Sequence, residues 1–224
     1  MSGRRQLSLD LPHRPAYGRE DFLLAPCNAE ALAWLDRWPE WPEGRLVVYG
    51  PEGAGKSHLA EVWRQASGAD VLSWNDVAPL SVGLPVPGTA LLLDDADAGL
   101  GREREVALLH LLNGLKEVGG RILLTARTPP ARWRLGLADL ASRLAASATV
   151  GIGAPDDTVL AAVLAKFFHD RQVRVPGDVI NYLISRMERS FAAAQRTAKA
   201  LDGASLSGKR PITVALAREI LDRA

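Results

Sequence analysis

One eight-residue segment limits what this chain can fold into more than any other. Gly50-Pro51-Glu52-Gly53-Ala54-Gly55-Lys56-Ser57 satisfies the pattern G-x-x-x-x-G-K-[ST]. The apolar run Leu46-Val47-Val48-Tyr49 precedes it, and the helical pattern His58-Leu59-Ala60-Glu61-Val62-Trp63 follows it. A glycine-rich turn between a strand and a helix presents backbone N–H groups to a phosphate chain. The lysine reaches the β- and γ-phosphates, and the hydroxyl after it serves Mg²⁺. Gly50 to His58 are therefore the candidate nucleotide-binding residues. A second run, Leu91-Leu92-Leu93-Asp94-Asp95, ends an apolar strand in two carboxylates. Asp94 is the candidate Mg²⁺ partner of Ser57, and Asp95 the candidate residue for orienting an attacking water. A helix N-cap pair is the bland alternative for these two aspartates.

The rest of the chain fits an alternating layout. Strands are expected at 46–49, 70–74, 89–94, 121–125 and 147–152, with helices at 56–67, 102–118 and 138–145 between them. Such alternation implies an α/β fold with a parallel sheet covered on both faces, and a ligand at the carboxyl ends of the strands. Asn28 is expected to cap a helix from Ala29 to Trp38. After Pro155 the strands stop. Four helical patterns follow, at 157–170, 177–188, 190–202 and 213–223, with Asp156 and Thr213 as N-caps. The expected organisation is an extended arm over 1–20, an α/β nucleotide-binding domain over 21–153 and a small all-helical lid over 154–224.

Composition narrows the function. A formal net charge of +1 over 224 residues argues against a direct sequence-specific DNA binder. The lone Cys27 suits a reducing cytoplasm, and no apolar run is long enough for a membrane span or a signal peptide core. The six tryptophans, Trp34, Trp38, Trp41, Trp63, Trp74 and Trp133, read as packing residues. The four histidines lack metal-ligand spacing.

The combination of phosphate loop, Asp94-Asp95 pair and helical lid resembles AAA+ P-loop NTPases, and within them the DnaA branch. The stretch Leu135-Gly136-Leu137-Ala138-Asp139-Leu140-Ala141-Ser142-Arg143-Leu144 resembles the segment that carries that branch's arginine finger. By composition alone Arg143 is a surface arginine of an amphipathic helix; the resemblance implies a catalytic finger acting in trans. The peptide Gln6-Leu7-Ser8-Leu9-Asp10-Leu11-Pro12 resembles the short peptide by which replication proteins dock on the sliding clamp. Its three alternating leucines are costly to expose without a partner, and an extended peptide filling preformed pockets is a common recognition mode. A DnaA-like core that ends at its lid and carries a clamp peptide is similar to the Hda-type regulatory inactivators of DnaA.

That resemblance implies a negative regulator of replication initiation, associated with the replisome in the cytoplasm. It implies bound ADP or ATP with Mg²⁺, ADP favoured. It also implies docking on the DNA polymerase III clamp (the beta subunit), DnaA as the target, weak intrinsic ATPase activity and an optional homo-oligomer. The chain departs from the family at its sensors. Thr125-Ala126-Arg127 stands where the branch has Thr-Ser-Asp or Thr-Gly-Asp, and Ala192 stands where it has a phosphate-contacting arginine. Arg189 and Arg196 are nearby substitutes. A helicase-loader-type adaptor and a phosphate-loop small-molecule kinase are the competing readings.

Overall fold

The computed structural model describes residues 23–77, 86–208 and 210–223. The arm with Gln6, Leu7, Ser8, Leu9, Asp10 and Leu11, and most of the loop before Val86, lie outside the described residues.

Five parallel strands form one sheet in the order β2-β3-β4-β1-β5: β1 Arg45–Tyr49, β2 Asp70–Leu72, β3 Ala90–Leu93, β4 Arg121–Ala126 and β5 Ala148–Gly151. Parallel strands buried on both sides read as continuous apolar runs. The alternation inside those runs sorts side chains to the two faces. Val47, Leu91, Leu93, Ile122 and Leu124 join one core, and Leu46, Val48, Leu92 and Leu123 join the other. Helices α1 (Ala29–Asp36) and α2 (Lys56–Ser67) cover the second face. The first is covered by α3 (Trp74–Val77), α4 (Arg102–Val118) and α5 (Ala138–Ala145). Trp41 and Trp63 are buried with ring centres 5.2 Å apart, as packing residues should be. Trp74 differs: its indole donates to the Asp95 carbonyl at 3.4 Å, at the sheet edge.

The lid comprises α6 (Asp157–Asp170), α7 (Gly177–Arg186), α8 (Phe191–Gly208) and α9 (Val214–Leu221). Leu160, Leu164 and Phe168 form the buried stripe of α6 around which the other three pack. Ala25, from the segment before α1, is buried in the same cluster. Asp156 caps α6, its carboxylate accepting from Val159 N at 2.8 Å, and Thr213 caps α9 through Leu216 N.

Three local expectations need correction. The strand expected over 70–74 ends at Leu72, because Ser73 N and Oγ both donate to the Asp76 carboxylate, at 2.8 and 2.6 Å, and start α3 instead. Asn28 occupies the N-cap position of α1 but its side chain does not cap it. Oδ1 accepts from Ala25 N at 2.9 Å and Nδ2 donates to Leu23 O at 2.9 Å, so it braces the incoming segment. The third lid helix continues to Gly208 through Gly203, around which the space is open.

Glu105 is a carboxylate on the buried stripe of α4, only 4% exposed. It accepts from Gly136 N and Leu137 N, each at 2.9 Å, and so holds the N-terminus of α5. Hydrogen bonds to a charged group contribute about 1.5–3 kcal/mol. Glu105→Ala should therefore lower the unfolding free energy by about 2–3 kcal/mol in a urea titration, and Glu105→Gln by less, because one acceptor remains.

Candidate nucleotide-phosphate site

The phosphate loop lies between β1 and α2, at the carboxyl edge of the sheet. Gly53 and Gly55 have φ of +73° and +94°, the left-handed region that glycine adopts without strain. Space also demands glycine at 53, where a Cβ would lie 2.9 Å from the Ala192 Cβ of the lid. Lys56 is 7% exposed, and its ammonium donates to Gly50 O at 2.9 Å and Pro51 O at 3.0 Å. The charge thus lies inside the loop, at the N-terminus of a twelve-residue helix whose free N–H groups and dipole favour anions. Of the other loop residues, Pro51 and Glu52 are exposed, Ala54 is buried and His58 is half-buried in the first turn of α2.

The structure brings Ser57, Asp94 and Thr125 together. Ser57 Oγ donates to Asp94 Oδ2 at 3.0 Å, and Thr125 Oγ1 donates to Asp94 Oδ1. Asp95 N in turn donates to Thr125 Oγ1 at 2.9 Å. A hydroxyl and a carboxylate oxygen this close, beside a buried ammonium, fit a Mg²⁺–phosphate group. The N-cap alternative for the aspartates fails, since α4 begins only at Arg102, after Gly101. Asp95 is exposed, with φ +49°.

Asp97 was not among the expected site residues. Its carboxylate accepts from Arg127 N at 2.9 Å and from Thr128 N at 3.1 Å, which clamps the turn after β4. A third aspartate just past the Asp94-Asp95 pair, opposite a Thr-x-x-Thr turn, was the available signal. The Arg127 guanidinium meets Glu52 of the phosphate loop at 3.3 Å.

Lid and loop touch directly. Ala192 N donates to Gly53 O at 3.3 Å, and Phe191 packs near Gly55. Neither nearby arginine takes the place of Ala192. Arg189 pairs with Asp157 at 3.0 Å and Arg196 with Glu188 at 3.6 Å.

Arg143 lies at the opposite edge. It is half-buried in the last turn of α5, and its charge acts on Glu43 and Arg45, at the start of β1. The five residues of β1 put about 13 Å between that edge and the phosphate loop, four steps of ~3.3 Å. Around Arg143, the hydrogen bond and charge of Lys116 hold the Glu43 carboxyl below its usual range, with Arg45 and Arg143 adding to the effect. Burial pushes the Arg45 guanidinium below its ordinary pKa, and the Arg143 charge adds to this while Glu43 opposes it.

A parallel sheet in this order, with a phosphate loop after β1, the strand between β4 and β5, and a helical lid packed on that loop, is the AAA+ fold. Solved structures agree on the fold. Domain III of Thermotoga maritima DnaA superposes with a TM-score of 0.80 at 19% identity, over 93% of this chain and 97% of that one. AMPPCP-bound DnaA from Aquifex aeolicus gives 0.70 at 21% identity, over 87% and 67%. The Thermotoga maritima RuvB branch migration motor gives 0.72 at 15% identity, over 92% and 71%. Residues 156–221 match the family described as Hda, lid domain. The chain thus combines a fold like that of DnaA domain III with a lid segment that matches the Hda family.

Thr125 is fully buried and serves both aspartates. Thr125→Val keeps the shape and removes the hydroxyl, leaving Asp95 N without that acceptor and Asp94 without that donor. Stability measured by urea denaturation should fall by about 1–3 kcal/mol, and Thr125→Ser should retain most of it.

Proposed function

We propose that this protein is a negative regulator of chromosome replication initiation. It binds an adenine nucleotide, ADP in preference to ATP, docks on the DNA-loaded sliding clamp, and stimulates hydrolysis of DnaA-bound ATP through Arg143. The observation that carries the reading is the position of Arg143, at the sheet edge away from its own phosphate loop. A cation placed there cannot serve the nucleotide of its own chain and is available to one held by a neighbour. The Hda-type lid and the AMPPCP-bound DnaA of like fold support the same reading.

The chain's residues divide the work. Lys56 and the N–H groups of residues 53–57 would hold the resident phosphates, while Ser57 and Asp94 would hold Mg²⁺. Mg²⁺, when bound, neutralises charge on the phosphate oxygens. Asp95 would orient a water, but Arg143 lies at the opposite sheet edge from it, so intrinsic turnover is slow. On DnaA, the planar fork of Arg143 would meet the transferring phosphoryl group as charge spreads over its oxygens. Glu105 sets where this happens, because it fixes the start of the helix that carries Arg143. Gln6, Leu7, Ser8, Leu9, Asp10 and Leu11 would form the clamp-docking peptide, outside the α/β domain proposed over 21–153 and the lid proposed over 154–224. Burying two leucine side chains yields about 3–6 kcal/mol gross, and ordering the arm offsets much of it, giving micromolar binding.

Two experiments test this reading. Single-turnover hydrolysis of labelled ATP preloaded on DnaA, with DNA-loaded clamp, should be stimulated by the wild-type protein. Arg143→Ala should lose about 10³–10⁵-fold in rate, roughly 4–7 kcal/mol of barrier, and Arg143→Lys should recover little. Full stimulation by the Ala variant would reduce Arg143 to a surface arginine. In the second experiment, Gln6→Ala combined with Leu9→Ala should abolish capture on immobilised clamp without changing the melting temperature. Capture by replicative helicase instead would point to a loader-type adaptor.

A further inference from the structure

We propose that Lys116 is a positioning residue for Arg143: it holds the Glu43 carboxylate and so keeps the Arg143 guanidinium unpaired, free for a phosphate on a neighbouring molecule. The inference rests on the reading of Arg143 above and adds the groups that keep that cation available.

The placement follows from the register at the amino edge of the sheet. Leu46 of β1 pairs with Ala148 of β5, so Ser147 is level with Arg45. Ser147 Oγ donates to Arg143 O at 3.1 Å, which ties the last turn of α5 to that level. On the other side of β1, Arg45 pairs with Ile122 of β4. The last turn of α4, which carries Lys116, leads into β4 through Gly119 and Gly120. Glu43 lies where both helix ends are felt. Lys116 Nζ meets its Oε2 at 3.0 Å, Arg45 Nη2 meets the same oxygen at 3.5 Å, and the Arg143 charge acts on the same carboxylate. The turn that carries Glu43 is packed in place: a Cβ on Gly44 would lie 2.7 Å from Gly120 O. The Glu43 side chain is 40% exposed and has room to change partner.

Three cations thus share one carboxylate, and they are not equivalent. Arg45 lies in the interior. Lys116 is 57% exposed and makes the shortest contact. Among the described residues, the Arg143 guanidinium makes no ion pair or hydrogen bond, although exposed Asp139 lies one turn earlier on the same helix. An exposed ion pair such as Lys116–Glu43 is weak, so its carboxylate exchanges partners readily. With Lys116 removed, the other cation outside the interior whose charge reaches Glu43 is Arg143. Its planar fork accepts a carboxylate in the two-bond geometry that it would offer a phosphate. A Glu43–Arg143 pair would therefore occupy the very donors that a neighbour's phosphate needs. Lys116 prevents this by occupying Glu43 with an ammonium, a point charge that leaves the fork of Arg143 unused.

Single-turnover hydrolysis of labelled ATP on DnaA, with DNA-loaded clamp and the full chain, tests this. Lys116→Met should slow the stimulated reaction about two- to fivefold, the range of one exposed ion pair. Lys116→Arg keeps the charge and should keep the wild-type rate. Glu43→Gln added to Lys116→Met should return the rate to wild type, because the competing carboxylate is gone. A wild-type rate in Lys116→Met would overturn the inference and leave the Arg143 reading standing. So would a slow Lys116→Met that Glu43→Gln does not restore, the mark of a lysine that touches the partner directly. Glu43→Gln also takes the carboxylate from Arg45, so melting temperatures are measured first. If the double variant does not fold, Lys116→Arg decides: a rate as slow as that of Lys116→Met would overturn the inference. If the wild-type chain gave no stimulation, the Arg143 reading itself would fall, and this inference with it.

Discussion

The carboxylate of Asp94 connects elements that are far apart in sequence, and the site depends on that connection. It accepts from Ser57, 37 residues earlier, and from Thr125, 31 residues later. The first bond fixes the start of α2 and the second fixes the end of β4 against the end of β3. Thr125 is fully buried, so its half of this arrangement is shielded from water, where an unmade hydrogen bond costs most, while the Ser57 half is open to solvent. The same hydroxyl accepts from Asp95 N and helps hold that residue in its left-handed conformation. A rigid carboxyl edge results, on which a phosphate group can be held without the loop having to reorganise.

The lid is the second determinant. Its contact with the core is made at the phosphate loop, where Ala192 abuts Gly53 too closely for any side chain at 53. The segment before α1 strengthens the link, because Ala25 is buried in the lid core while Gly153 N donates to Cys27 O at 2.9 Å. Any shift of the lid is therefore felt by the loop. It is also felt by residues 23–27, just beyond the proposed clamp-docking arm.

Much of this was legible in the sequence, for identifiable reasons. The strands are runs of leucine, isoleucine and valine bounded by glycine, proline or carboxylates, so period and punctuation agreed. α2, α4, α5 and α6 have the bounds that the apolar spacing predicts. What failed was local competition between polar groups. Ser73 and Asp76 end β2 through two hydrogen bonds that residue propensity does not weigh. Asn28 had two ways to satisfy its amide and took the one that braces the segment before α1. At the site, the residues of the contiguous motif were readable because their spacing is itself the chemistry. Asp97 and Glu105 act across distances of about 30 residues and carry no motif. Glu105 did leave a trace, a carboxylate three residues before Leu108 on a stripe otherwise apolar.

The sheet also separates two kinds of charge management. At the carboxyl edge, Lys56 is enclosed by carbonyl groups of its own loop. At the amino edge, Arg45 is buried with Nε and Nη1 lacking any hydrogen-bond partner among the described residues. Its ion pair is with Glu43 at 3.5 Å, and Glu43 is shared with Lys116 at 3.0 Å. One carboxylate thus balances several cations, Arg143 among them. Coulomb repulsion between like charges is stronger in a medium of low dielectric constant. With Arg45 in the interior, burial and the Arg143 charge together push its guanidinium below the ordinary pKa, and the Glu43 carboxylate opposes them.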